Sequence, residues 1–164
     1  MNTFRSLITG VTVVAAGAAA AATLATTGTA SAGPADSPRA RTFTLRAHHG
    51  SDANIDLGTT GFSAGDQDLF TGSLSRNGAH AGRFAGTCTT VRAGKTTADQ
   101  LCEFVLHLAH GQITAAGTVR SGRSGPGTFA LPILGGTGRY GTAAGQITVT
   151  ATNGNAFPIA ITLH

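Results

Sequence analysis

Few residues of this sequence combine a reactive side chain with the spacing of a known kind of site. Glu103 and His107 lie in an alternating run, at a separation that would place both side chains on one face of a strand. A carboxylate and an imidazole so placed could form an acid–base pair, and the same arrangement is typical of a solvated outer face. Gly94-Lys95-Thr96 imitates the end of a phosphate-binding loop, but Thr89 occupies the first glycine position of that motif.

Two further patterns lack the local structure that their chemistry would need. Gly136, Gly138 and Gly141 satisfy the G-x-G-x-x-G spacing of dinucleotide-binding loops. A Thr-rich, alternating run follows where that motif needs a helix to hold the pyrophosphate, so we predict a turn between two strands. His48 and His49 are adjacent, and a strand would point them to opposite faces, where they cannot easily share one ion. The sequence therefore predicts no metal site and no cofactor.

The first part of the chain has the composition of a secretory leader. Arg5 precedes an apolar run from Leu7 to Leu24, and Ala30-Ser31-Ala32 supplies the small residues of a cleavage site. We predict a signal peptide over residues 1–32, a flexible segment over 33–41 and one domain over 42–164. The protein is then secreted and keeps no membrane segment after cleavage.

Charge and composition exclude some partners. The chain has a net charge of +4, which falls to +3 when Arg5 leaves with the leader. The basic residues are scattered, and the sequence has one Tyr and no Trp. Nucleic-acid binding commonly needs a clustered basic stripe with stacking aromatics, so we predict no nucleic-acid partner.

After Arg41 the chain alternates between apolar and polar residues, with turn signals about every ten residues. No window has a sustained helical period with caps, so the expected class is all-β, as a barrel or a sandwich. The predicted strands are Thr42–Ala47, Ala53–Leu57, Asp66–Ser75, His80–Val91, Gln100–Leu108, Gln112–Val119, Thr128–Leu134, Ala143–Thr152 and Phe157–Leu163.

Two cysteines in an exported chain are expected to form a disulfide. A turn centred on Lys95 would place Cys88 opposite Cys102, Gly86 opposite Phe104, and Phe84 opposite Leu106, all on one face. For the preceding hairpin, a two-residue turn at Asn77-Gly78 would put Phe70 and Phe84 on opposite faces. A type I turn at Arg76-Asn77 with Gly78 as a bulge keeps the aromatics together, and we prefer it. Pairs of Phe and Gly suit a tightly curved sheet and favour a closed barrel.

Several segments together resemble a known barrel family. Gly65-Asp66, Gly111-Gln112-Ile113-Thr114 and Phe157-Pro158-Ile159, with the glycines between Gly78 and Gly86, resemble the allene oxide cyclases. Gly135 to Tyr140 is similar to the glycine-rich segment of the plant dirigent proteins, which share that barrel. The resemblance spans roughly residues 42–163. It implies an eight-stranded antiparallel closed β-barrel around an apolar cavity, and a homo-oligomer, since the plant members are commonly homotrimers.

The resemblance also suggests which residues face the cavity. It places Thr44, Arg46 and His48 inward, with Thr44 and Arg46 where the cyclases have a Glu and an Asn. An inward Arg46 could bind a carboxylate or enolate, and Arg46 and His48 are the candidate catalytic residues. Alternation alone favours the other parity, which buries Phe43 and Leu45. The predicted ligand cavity consists of Thr44, Phe70, Phe84, Phe104, Leu106 and Tyr140.

These observations favour a secreted barrel that binds a small hydrophobic molecule and steers its cyclisation or coupling by shape, as a cofactor-free isomerase would. Because the cyclase Glu and Asn are replaced, the cyclisation of a fatty-acid epoxide is not carried over. The alternative is a barrel filled with side chains, acting as an extracellular binding or structural module on carbohydrate or cell wall. A toxin or inhibitor acting on other proteins is a third class.

Overall fold

The computed structural model describes residues 40–122, 125, 127–152 and 154–164. The predicted signal peptide and nearly all of the predicted flexible segment lie outside the described residues. Eight strands run from β1 to β8, and a short 3₁₀ turn, Gly138–Tyr140, follows the sixth. The strands are β1 Arg41–Ile55, β2 Gln67–Arg76, β3 Ala79–Ala93, β4 Thr97–Leu108, β5 Gly111–Gly122, β6 Thr128–Gly136, β7 Gly145–Thr150 and β8 Ala156–Leu163.

Each strand pairs antiparallel with the next, and β1 pairs with β8 to close the barrel. The predicted eight-stranded antiparallel closed barrel is therefore confirmed. No helix in the described part of the chain has the length and hydropathy needed to cross a membrane.

The first strand differs from the sequence prediction. The predicted strands Thr42–Ala47 and Ala53–Leu57 are joined in one continuous strand, β1, which ends at Ile55 and whose register against β2 shifts between His49 and Ser51. Gly50 is the extra residue of this β-bulge, which bends a strand without ending it. The residues between the two predicted strands therefore form a bend within one strand rather than a break between two.

The β3–β4 hairpin has the predicted register. Cys88 faces Cys102, Gly86 faces Phe104 and Phe84 faces Leu106. The two cysteines form the predicted disulfide.

The β2–β3 hairpin places its aromatic residues on the predicted face, but its turn differs from the predicted one. Asn77 and Gly78 both have a positive φ, 51° and 80°, which forms the two-residue turn that we did not prefer. A register shift between Leu74 and Ser75 then restores the shared face, so that Gly72 lies opposite Phe84. The aromatic side chains are together, as predicted, but a bulge in β3 rather than the turn keeps them so.

One end of the barrel is filled. This is the end where β1 begins and β2 ends, and its interior residues are at most 2% exposed. They are Leu45, Leu74, Leu106, Ile113, Leu131, Ile147, Ile159 and Ile161. The Arg76 guanidinium lies 5.2 Å from the centre of the Phe43 ring at this end. Any ligand must therefore enter from the opposite end.

The glycine-rich segment after β6 is a corner at the filled end. The amide of Arg139 donates to the carbonyl of His110 at 2.8 Å, which ties the 3₁₀ turn to the β4–β5 connection. Gly138 has a φ of 58°, a conformation that favours glycine. The segment forms a turn, as predicted, and no long helix follows it.

Candidate functional site

The opposite end of the barrel contains an open cavity of about 510 Å³, which we call the cup. Its apolar wall comes from the ends of seven strands, β2 to β8, with the disulfide forming part of one side. The wall residues are Phe70, Cys88, Cys102, Phe104, Val119, Phe129, Val149 and Phe157. The barrel is thus solid at one end and hollow at the other, and the hollow end can hold a small molecule.

The phenylalanine rings of the cup are in contact with one another. The Phe70 and Phe104 ring centres are 5.0 Å apart, and those of Phe104 and Phe129 are 6.1 Å apart. Phe84 lies beneath them, with its ring centre 6.4 Å from that of Phe70 and 5.8 Å from that of Phe157. These separations are those of favourable aromatic pairs, so the wall is a continuous aromatic surface.

Glycines make room for these rings. Gly86 of β3 lies between Phe70 of β2 and Phe104 of β4 in the paired register. A methyl group at Gly86 would lie 2.6 Å from a carbon of the Phe70 ring, which is closer than atoms can pack. Gly72 stands in the same relation to Phe84. The Phe–Gly pairs that favoured a barrel are therefore what allows the rings to fill the sheet's concave face.

A row of hydrogen-bonded polar side chains crosses one side of the cup, and we call it the polar chain: Asn54, Asp68, Gln100 and Ser121. Asn54 Nδ2 and Gln100 Nε2 both donate to the carboxylate of Asp68, the second at 3.0 Å. The Ser121 hydroxyl donates to Gln100 Oε1 at 2.7 Å. Asp68, Gln100 and Ser121 line the cup, and Gln100 is only 6% exposed. These hydrogen bonds between neighbouring side chains hold the row in one geometry.

His49 lies at the rim of the cup because of the bulge in β1. Its ring centre is 5.0 Å from that of Phe157, and its Nδ1 is 3.7 Å from Asp52 Oδ1. Asp52 is opposite Phe70, so the bulge places His49 and Asp52 on the same face although three positions separate them. The histidine at the cup is therefore His49 rather than the predicted His48.

The β1–β2 loop, residues 56–66, reaches over the mouth of the cup. Phe62 is 60% exposed and also lines the cup. Asp66 anchors the loop, since its carboxylate accepts hydrogen bonds from the amides of Ser63 (2.6 Å) and Leu57 (3.0 Å). These backbone bonds, with a third from the Ser63 hydroxyl, lower the pKa of Asp66 below its ordinary value of 3.8.

Three residues predicted to face the cavity lie on the outer face. Thr44 and Arg46 are exposed, while Leu45 and Ala47, which alternate with them, are buried in the barrel. The inward placement of Thr44, Arg46 and His48 is therefore wrong, because apolar burial sets the parity of β1 as alternation alone predicts. His48 Nε2 is instead within 3.1 Å of the Ser75 hydroxyl on the neighbouring strand.

The other predicted site residues divide between the two ends. Phe70 and Phe104 line the cup, as predicted. Phe84 and Leu106 are 1% and 0% exposed in the filled core beneath it. Tyr140 packs against the core at the filled end, so its predicted place in the cavity is wrong.

Glu103 and His107 lie on the solvated outer face, which is the favoured interpretation of their spacing, and they do not pair with each other. Glu103 is exposed, and His107 Nδ1 lies 3.0 Å from Gln112 Nε2. Within the described ranges, no three His, Cys, Asp or Glu side chains come together in a cluster that could hold a metal ion.

No protein-family model and no curated protein matches the chain. Solved structures do match, and one is described as "Pyocyanin demethylase". It has 28% sequence identity and a TM-score of 0.68, over 76% of this chain and 100% of that one.

Two cyclases have the same architecture at lower identity. One is a nonspecific heme-binding cyclase that catalyses a (4 + 2) cycloaddition in neoabyssomicin biosynthesis, with 20% identity and a TM-score of 0.62 over 78% of this chain. The other is the Diels Alderase AbmU from Streptomyces koyangensis, with 21% identity and a TM-score of 0.60 over 75% of this chain. The chain spans 65% and 63% of these two proteins. Its barrel is thus similar to the barrels of enzymes that act on small molecules.

Proposed function

We propose that this protein binds one small, mainly apolar molecule in the cup and holds it in a conformation or orientation that favours ring closure, coupling or rearrangement. The observation that carries the proposal is the cup itself, a cavity of about 510 Å³ walled by phenylalanine rings and bordered on one side by the polar chain. Ligand sites commonly combine such apolar walls with a few fixed polar groups.

The energetics of the cup support a hydrophobic ligand. Phenylalanine faces offer no conventional hydrogen bonds to water, so an apolar molecule that replaces water there gains roughly 25 cal/mol for each Å² of buried apolar surface. The walls are also rigid, because Phe70, Phe104 and Phe129 pack against one another. A rigid cavity can restrict a flexible substrate to the shape that reacts, which accelerates a unimolecular step without a covalent intermediate.

The comparisons support this class of chemistry. A demethylase and two cyclases, all named for reactions of small molecules, share the barrel. The filled module considered above is less well supported, because a barrel packed with side chains would leave no cavity of this size. We further propose that the protein is secreted. Mature protein recovered from the culture medium should begin near Gly33, and retention of residues 1–32 would contradict export.

A titration with N-phenyl-1-naphthylamine, a neutral apolar dye whose fluorescence rises on leaving water, tests the binding step. We expect saturable binding of one dye per barrel, with displacement by other flat, mainly apolar molecules. Ala151→Trp would fill the cup, which Ala151 lines, and should weaken dye binding at least about tenfold.

Ala130→Trp is the matched control, because Ala130 is exposed on the outer side of β6. It should bind the dye as the native protein does. Absence of a saturable site, or equal loss of binding in both variants, would refute a ligand site in the cup.

A further inference from the structure

We infer that the cup selects a ligand that donates a hydrogen bond, such as a phenol or an aromatic or protonated amine, because the polar groups that face it have acceptor capacity to offer. This inference rests on the proposed function and specifies its substrate class. It follows from the direction in which the hydrogen bonds of the polar chain must run.

Asp68 fixes that direction. An ionised carboxylate can only accept hydrogen bonds, so the side-chain amides of Asn54 and Gln100 must both present their NH₂ groups to it. Gln100 therefore turns its carbonyl oxygen away from Asp68 and toward Ser121. A carbonyl oxygen only accepts, so the Ser121 hydroxyl must use its proton on Gln100, at 2.7 Å. One charged residue thus orients three neutral ones.

The hydrogen-bonding groups of the polar chain that remain unused are mainly acceptors, which a donor on the ligand can use. A carboxylate has about four lone-pair sites. Two of those of Asp68 are taken by the amides of Asn54 and Gln100. The Ser121 oxygen keeps its lone pairs, because its proton is used on Gln100.

One further polar side chain of the cup offers the same capacity. Thr152 spends its hydroxyl proton on the carbonyl of Ala156 at 2.9 Å, which leaves it as an acceptor. No lysine or arginine of the described residues lines the cup.

The consequence is a preference among ligands of equal shape. In a cavity walled by phenyl rings, a ligand O–H or N–H can be satisfied by Asp68 or Ser121. A ligand ether or carbonyl oxygen placed there would face lone pairs and lose the water that it bonded outside. A site whose polar groups await a donor rejects the analogue that lacks one, because those groups would stay unpaired.

A matched pair of probes tests the preference. The binding of 1-naphthol and 1-methoxynaphthalene is measured by displacement of N-phenyl-1-naphthylamine, whose own affinity is first determined for each variant. The two probes share a ring system, and only the first donates a hydrogen bond. The quantity compared is the ratio of their affinities, since the difference in hydrophobicity between the probes is the same for every variant.

We expect Asp68→Asn to lower the naphthol-to-methoxynaphthalene ratio about tenfold, because the new amide can donate toward the cup. Asp68→Glu keeps an acceptor and should keep most of the preference. Glu103→Gln removes the same charge from the outer face of β4 and should leave the ratio unchanged.

The native protein provides a measurement that needs no variant, in case Asp68→Asn fails to fold. Among phenols of equal size, affinity should increase with the acidity of the O–H group, since a stronger donor gains more from the Asp68 carboxylate. A flat series, or an unchanged ratio in folded Asp68→Asn, would overturn the inference while the dye site stands. If none of the probes binds the native protein, the proposed function itself fails.

Discussion

Adding one methyl group at Gly86 should both destabilise the barrel and reduce the cup. In Gly86→Ala the new carbon would lie 2.6 Å from Cζ of Phe70 and 2.7 Å from the carbonyl oxygen of Glu103. Carbon atoms in contact normally lie about 3.5–4.0 Å apart, so the ring must move by roughly 1 Å. The neighbouring Phe104 ring, with its centre 5.0 Å away, blocks one direction, and the cup is open in another.

The expected cost follows from overpacking. Forcing an extra methyl group into a packed interior lowers the unfolding free energy by about 1–3 kcal/mol. Replacing glycine by alanine within a strand raises it by roughly 0.5–1 kcal/mol, because glycine loses more backbone freedom on folding. The clash with a backbone oxygen favours the upper part of the first range. We therefore expect Gly86→Ala to lose about 1–2 kcal/mol of unfolding free energy, and dye affinity to fall because the Phe70 ring moves into the cup.

Urea unfolding followed by circular dichroism measures the first effect, and dye titration measures the second. Gly141→Ala is the control, since Gly141 is exposed at the filled end of the barrel and a methyl group there comes no closer than 3.4 Å to the atoms around it. The double variant Gly86→Ala/Phe70→Leu should recover part of the loss, because the smaller side chain relieves the contact. If Gly86→Ala is as stable as the native protein and binds dye equally, the rings do not pack against the glycines as described.

Three further predictions concern other parts of the barrel. Replacing Cys88 and Cys102 with alanine should lower the unfolding free energy by about 3 kcal/mol, measured by urea unfolding, and a loss below about 1 kcal/mol would contradict this. Asp66→Asn should destabilise the protein at neutral pH. The folded pKa of Asp66 is lowered, so its stabilisation is complete above the ordinary value of 3.8 and is lost as the pH falls through the folded pKa. The difference in urea midpoint between the two proteins should therefore shrink from about pH 6 to about pH 3, and a constant difference would contradict it. Arg46→Ala should change dye affinity by less than about twofold, because Arg46 lies outside the barrel, and a larger loss would place it at the ligand.

The register of the barrel was accessible from the sequence where strong local constraints coincided. The glycine and lysine near residue 95 marked a turn, and two cysteines at equal distances from it fixed the β3–β4 pairing. Asp68 and Gln100 of the polar chain could have been found by the same counting. Asp68 lies two positions before Phe70, and Gln100 lies two positions before Cys102, so each shares the inner face of its neighbour.

Other features depend on information that counting does not supply. The β1 bulge at Gly50 changes which residues share a face, and it brings His49 rather than His48 to the rim. The resemblance to the cyclases suggested that Arg46 faces inward, whereas burying Leu45 and Ala47 stabilises the opposite parity. Which end of the barrel stays hollow depends on how the volumes of many side chains sum across eight strands, and alternation says nothing about it.

The most direct test of the cup as the ligand site is an isotope-filtered NOE spectrum of bound 1-naphthol on protein with labelled phenylalanine and leucine. The account predicts cross-peaks from the ligand to the rings of Phe70, Phe104, Phe129 and Phe157. Cross-peaks to Leu69 and Leu101, which are exposed on the outer face, with none to those rings, would contradict it.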